Sequence, residues 1–293
     1  FCTLKMDMPF IHMSPMASND CCFSTNSSCA ETQRARPAMG TFVHIAASGA
    51  DSETVERAIE KAFEAIAQAE RLMSFHDQNS ELSRLNREAY RQPQSVHLWT
   101  YAVLKRSLQI ADASAGLFDI TVAPLLVEAG LLPRTNDVET HRGNWRSIKL
   151  LNDNRLFFEQ PVLLDLGGIA KGFAVDQAIH VLRRAGCSEA VVNAGGDLRR
   201  FGTKHHPLYL RRRADLVQVA ELRCGAVATS SPHAHIADRL AQPIGCIIDP
   251  TQRRAWTGNV NVMVAARSCM IADALTKVAA LAGPACQLLL NRF

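Results

Sequence analysis

No stretch of the 293 residues approaches the roughly 18 to 20 consecutive apolar positions that a membrane-spanning helix requires, so no membrane-spanning segment is expected. The nine cysteines show no CxxC spacing of a zinc or redox site, and nothing in their placement reads as a disulfide framework. Cys187, Cys224, Cys246, Cys269 and Cys286 sit in mostly apolar surroundings, where a free thiol acts as a small hydrophobe. Charge of one sign is also scarce. Charged residues make up 20% of the chain and the net charge is +4, spread evenly apart from Arg211, Arg212 and Arg213. That run reads first as a solvated turn between strands, with a phosphate contact as the alternative. Aromatic and basic residues do not interleave as a stacking platform needs, which argues against a nucleic-acid partner. Neither GxGxxG nor a P-loop is present. The start of the chain has neither the basic end and apolar run of a signal peptide nor a lipobox-like segment before a cysteine.

Hydrophobic content of 47% is ample for a substantial core. Residues 1–36, rich in Met, Ser, Asn and Cys without periodicity, read as a disordered or non-native leader, and residues 37–293 as one catalytic domain. Thr41 to Ala46 alternates like a strand. Asp51 offers an N-cap to a helix whose apolar face is Val55, Ile59, Phe63 and Ile66. Further helices are expected over 99–114, stopping at Gly116, over 171–184 and over 271–281. Strands are expected over 162–166 and 190–193, around Val217 and Val219, and through Val260, Val262 and Val264. Helices and strands mix without a regular βαβ repeat, which favours an α+β class with an antiparallel sheet and packed helices.

Four segments could carry chemistry. Asp165-Leu-Gly-Gly-Ile-Ala-Lys171-Gly-Phe-Ala-Val-Asp176 sets a carboxylate at a strand end, then two glycines, then a lysine at a helix start. Glycines let backbone approach a ligand, a helix N-terminus favours anions and the lysine adds charge, so the segment suits phosphate; a plain structural turn is the alternative. Asn193-Ala-Gly-Gly-Asp197 follows the next strand and is either a second ligand-wrapping loop or a tight turn. Gly116-Leu117-Phe118-Asp119 offers a ring for stacking and a carboxylate for hydrogen bonding, although Phe118 equally fits the core. Asp273, Thr276 and Lys277 lie at i, i+3 and i+4 and share a helix face. Carboxylate and hydroxyl oxygens suit Mg²⁺, whereas the plainer reading is a capping Asp273 paired with Lys277.

These four segments in order, with Met39-Gly-Thr41 and with Met73-Ser-Phe75 leading to Ser80-Glu-Leu-Ser-Arg-Leu-Asn86, resemble the ApbE family of FAD:protein FMN transferases over about residues 37–285. The resemblance implies a magnesium-dependent enzyme. It would take FAD as substrate and attach FMN through a phosphoester to a threonine or serine of an acceptor flavoprotein, releasing AMP. Carried over by position, Met39, Phe75, Leu117, Phe118, Asp119, Asp165, Lys171 and Ile247 would contact FAD. Gly168 would lend a carbonyl to the magnesium, with Asp273, Thr276 and the position of Lys277 completing the site. The resemblance also implies the periplasmic face of the inner membrane.

The chain departs from the family pattern in two places. Where the family carries threonine at the last metal position, this chain has Lys277, whose ammonium could instead meet the pyrophosphate. Gly245-Cys246-Ile-Ile-Asp249-Pro250 aligns with a family segment that has histidine at the cysteine, leaving Asp249 or Asp165 as the proton acceptor. A FAD pyrophosphatase giving FMN and AMP, and a non-catalytic FAD-binding protein, remain alternatives to the transferase.

Overall fold

The computed structural model describes residues 10–13, 31–134, 143–212, 215–230, 247–258 and 261–293. A seven-stranded sheet runs in the order β1 (Phe10–Met13), β14 (Val262–Ala266), β11 (Gly225–Ser230), β8 (Asp197–Phe201), β7 (Glu189–Ala194), β3 (Thr41–Ser48) and β2 (Thr32–Ala38). Every neighbouring pair is antiparallel except β1 beside β14. Side chains alternate between the two faces of such a sheet. In β14, Val262, Val264 and Ala266 enter the main core, whereas Met263 and Ala265 face a smaller apolar cluster with Leu208 and Leu222. Those two leucines come from the hairpin β9 (His206–Arg212) and β10 (Asp215–Leu222).

The main core is closed by helices α1 (Ser52–Met73), α5 (Ala170–Arg184) and α6 (Cys269–Ala282). Asp51 caps α1 as expected, accepting from the Thr54 amide at 2.8 Å. Around this layer lie α2 (Glu81–Glu88), α3 (Leu98–Ala113) and α4 (Ala123–Glu128), a three-stranded sheet of β4 (Gln94–Ser95), β6 (Arg155–Phe158) and β5 (Ile148–Leu151), and the pair β12 (Ile248–Asp249) with β13 (Arg254–Ala255). Helix α7 (Gln287–Leu290) ends the chain. The α+β class with one main core is as expected.

Three expectations need correction. Residues 32–36, read as leader, are the first part of β2 and pair with β3 through Arg36 opposite Val43. They lack a hydrophobic period because β2 is an exposed edge strand, with Arg34 and Arg36 paired to Glu56 and Glu60 of α1. Residues 162–166 are largely buried but join no sheet. Their backbone is satisfied by the Asn86 side chain, which donates to the Leu164 carbonyl at 3.0 Å and accepts from its amide at 2.8 Å, and by the Ile120 carbonyl, 2.8 Å from the Asp165 amide. Finally, among the described residues the stretch Cys269–Leu290 is long and apolar enough to cross a membrane by length and composition alone, an 18-residue window of it having mean hydropathy 1.3. Most of that segment is buried in the fold, and the helix breaks at Gly283, where φ is +58°. Arg211 and Arg212 end β9, while Arg213 lies outside the described residues, as do Val260 and Cys246. Cys187, Cys269 and Cys286 are buried free thiols, as apolar surroundings suggested.

Candidate active site

The site begins with two helices that cap one another. Asp176, on α5, reaches the start of α6: its carboxylate accepts from the Ser268 hydroxyl at 2.6 Å, the Cys269 amide at 2.8 Å and the Met270 amide at 3.0 Å, and pairs with Arg199 at 2.6 Å. Asp273, on α6, returns to the first turn of α5, its Oδ2 accepting from the Gly172 amide at 3.1 Å. Each carboxylate meets amides left without intrahelical partners at a helix start, where negative charge is favoured. The helices can approach this closely because position 172 is glycine. A Cβ there would lie 2.3 Å from the Cys269 carbonyl oxygen.

Around Asp273 the charges alternate. Lys171 Nζ lies 3.1 Å from Asp197 Oδ2, 3.8 Å from Asp273 Oδ2 and 3.4 Å from the Gly167 carbonyl oxygen. Lys277 Nζ is ion-paired with Asp273 Oδ1 and donates to the Asp273 carbonyl at 3.0 Å. Asp273 is 1% exposed and Asp197 2%, so these are interior charges that persist only when paired. Burial alone would raise the Asp273 pKa, but Lys171 and Lys277 hold it below the usual carboxylate value. For Asp197 the balance is reversed: burial, reinforced by the Asp273 charge, pushes its pKa up to about 6 despite Lys171. Burial acts against the Lys171 ammonium too, yet the two carboxylates raise its pKa well above the ordinary lysine value.

The Gly167-Gly168 turn leads into this cluster from Asp165. Its glycines serve close approach rather than unusual dihedrals. A Cβ on Gly167 would press on the Asp165 carboxylate at 3.2 Å, and one on Gly168 would stand 3.4 Å from Lys277 Cε and 3.6 Å from the Phe118 ring. Asp165 accepts from the Gly167 amide at 3.1 Å. Burial raises its pKa, against the opposing charges of Lys171, His76 and Lys277. Asp165, Lys171, Gly168, Phe118, Asp273, Thr276 and Lys277 are therefore brought together as the sequence suggested. Phe118 is buried, so its ring is also core. Asp119 uses one oxygen to accept from the Thr121 amide at 2.8 Å and hydroxyl at 2.7 Å, and burial raises its pKa. Leu117 is half-buried beside it.

Met39 and Phe75 are held at the C-terminal end of α1. The Met39 amide donates to Glu70 at 2.9 Å, and Phe75 is buried just beyond the helix. Met39 and Gly40 form the two-residue turn of the β2–β3 hairpin with φ of +52° and +72°, a conformation that suits glycine or asparagine better than methionine. Asp249 belongs to the β12–β13 pair, and Ile247 lies just before it, its carbonyl accepting from the Trp256 amide at 2.7 Å. Asp249 is a turn former: its Oδ1 accepts from the Thr251 hydroxyl at 2.6 Å, the Thr251 amide at 2.9 Å and the Gln252 amide at 3.0 Å. Burial would raise its pKa, yet these bonds hold it below the usual range.

The second glycine pair is a hairpin turn, not a wrapping loop. Gly195 and Gly196 have φ of +61° and +102°, and a Cβ on either would strike Thr41 or Thr229. What the turn delivers is Asp197, absent from the residues expected in the site. Its only signal in sequence was its position directly after the turn, since its partner Lys171 lies 26 residues earlier in the chain.

Lys171 and Lys277, paired with buried carboxylates at a glycine turn and a helix start on an α+β fold, define the candidate site. The comparisons make this specific. The ApbE family model matches residues 39–292, and the chain belongs to that family. It is 28% identical over 262 residues to the FAD:protein FMN transferase of Vibrio cholerae serotype O1, covering 82% of this chain and 78% of that one. With the protein of the same description from Escherichia coli K12 it shares 24% over 259 residues, 80% of this chain and 74% of the other. The fold matches the ApbE protein of Thermotoga maritima with a TM-score of 0.75 at 26% identity, covering 89% and 90% of the two chains. It matches the flavin transferase ApbE of Vibrio cholerae at 0.72 and 27%, covering 85% and 86%.

Proposed function

We propose that the chain binds FAD at the Asp165–Lys277 cluster and transfers its FMN half to a threonine or serine hydroxyl of an acceptor protein, releasing AMP. The observation that carries this reading is the pair of ammonium groups, Lys171 and Lys277, fixed on a buried carboxylate beside Gly167 and Gly168 at the start of α5. Such a cradle offers fixed ammonium donors to a pyrophosphate at little reorganisation cost, with the carboxylates Asp273 and Asp197 holding them in place. The acceptor oxygen forms a bond to the FMN-side phosphorus as the bond from that phosphorus to the bridging oxygen breaks, and AMP leaves with the electron pair. The acceptor proton passes to Asp165, whose raised pKa makes it a better base than Asp249.

The residues around Asp273 do not fit the magnesium ion that the family resemblance implies. Lys277 stands at a ligand position, and an ammonium has no lone pair to give. Both Asp273 oxygens are engaged, Oδ1 by Lys277 and Oδ2 by the Gly172 amide. The Thr276 hydroxyl donates to the Asp273 carbonyl at 2.7 Å and lies 2.7 Å from Ser230 Oγ. Among the described residues, no group of three His, Cys, Asp or Glu side chains is placed to hold a metal. A divalent ion 4 Å from one ammonium would meet a repulsion of about 8 kcal/mol at an effective dielectric constant of 20. No step of the transfer is therefore routed through a metal.

Release of AMP separates the possible activities. With FAD and a threonine-bearing acceptor peptide, AMP is expected to appear in proportion to peptide, without free FMN. AMP and free FMN formed at the same rate without peptide would mean hydrolysis, and unchanged FAD would mean binding alone.

A further inference from the structure

We infer that the Lys277 ammonium is the resident cation of the pyrophosphate site, so that this chain binds FAD without a divalent metal. The inference rests on the flavin reading of the site and goes beyond it by assigning the charge that a metal would otherwise supply to a residue of the chain itself.

Three features of the fold place that charge. Lys277 sits one helical turn after Asp273, and its Nζ is tied twice to that residue, to the carboxylate and to the main-chain carbonyl. Its stem runs beside Gly168, where a Cβ would come within 3.4 Å of Cε, so the ammonium is threaded between α6 and the glycine turn. Its side chain retains 22% of its exposure, which leaves a face open toward a ligand, while Asp273 beneath it is fully enclosed. A cation held by one buried carboxylate and partly open to solvent beside a helix start has the same electrostatic task as a bound metal: it offsets phosphate charge at a fixed position. Lys171 supplies a second ammonium on the opposite oxygen of Asp273. With one lysine on each side, the carboxylate is already bridged by two cations, and a third would have to displace one of them.

Equilibrium titration of the full chain with FAD, followed by flavin fluorescence, tests this with a readout independent of turnover. For the unaltered protein, the dissociation constant is expected to change less than about twofold between buffer containing EDTA and buffer containing millimolar magnesium. Lys277→Thr, which puts a neutral oxygen in place of the ammonium, is expected to bind FAD at least about tenfold more weakly in EDTA and to recover when magnesium is added. Lys277→Arg, which keeps the charge, is expected to stay insensitive to magnesium. Loss of FAD binding by the unaltered protein in EDTA, with recovery in magnesium, would overturn the inference while leaving the flavin reading intact. Absence of FAD binding by the unaltered protein in both buffers would overturn the flavin reading and this inference with it. Should Lys277→Thr fail to fold, the two arms of the unaltered protein still decide the matter.

Discussion

Asp165 and Asp197 both feel the charges of Lys171 and Lys277 and yet serve different purposes. Asp165 is half-buried at the mouth of the glycine turn, with a pKa raised by burial. As proton acceptor it must be ionised, so the acidic limb of transfer should fall at higher pH than for an ordinary carboxylate. Asp165→Asn is expected to lower kcat by about 10² or more and to remove that limb. An unchanged kcat/KM–pH profile in the variant would rule out the role. Asp197 is enclosed, and its folded-state pKa of about 6 lies above the unfolded value of 3.8. The folded state thus binds the proton more tightly, and this group's contribution to stability is lost as pH rises through that window. In Asp197→Asn the difference in Tm from the unaltered protein should shift in favour of the variant between about pH 4 and pH 7. A difference in Tm that does not vary with pH would contradict this. Asp165 and Lys171 were legible in sequence because a carboxylate, two glycines and a helix start lie in one short segment. The pairing of Asp197 was not, because only the fold brings β8 beneath the first turn of α5.

At the scale of elements, the site depends on how closely α5 and α6 approach. Gly172 sets that distance, and Gly172→Ala forces a Cβ to within 2.3 Å of the Cys269 carbonyl oxygen. Backbone, rather than a side chain able to swing away, must then move. The substitution is expected to cost about 1–3 kcal/mol, lowering Tm by several degrees, and to weaken FAD binding by shifting Lys171 relative to Asp273. Thermal unfolding and a flavin titration check both, and a Tm within one degree of the unaltered protein would show that the helices have room. Helix α1 could be read from apolar spacing and its Asp51 cap because it buries one face, while α6, buried nearly all round, could be read from its length and apolar content. β2 could not, because both its faces are largely exposed. The run over 162–166 imitates a strand because burial selects the same residue types, but its hydrogen bonds go to the Asn86 side chain and to the Ile120 carbonyl, neither of which leaves a period in the sequence.

For the whole molecule, a sheet with apolar residues on both faces carries the helices on one side and the β9–β10 hairpin on the other. This rigid layer holds the β7–β8 turn, the glycine turn and α6 in one register, so that residues more than a hundred positions apart form a single charge cluster. Family membership agrees with the motif order read from the sequence, and the comparison structures agree with the α+β class. The residue the sequence marked as unusual, Lys277, proves to be built into the cluster through Asp273. The most direct measurement is the intact mass of an acceptor peptide after incubation with the protein and FAD. A peptide carrying threonine is expected to gain the mass of an FMN phosphoester, and the same peptide with valine at that position to gain nothing. An unmodified threonine peptide, with FAD intact or split to free FMN and AMP, would contradict the account.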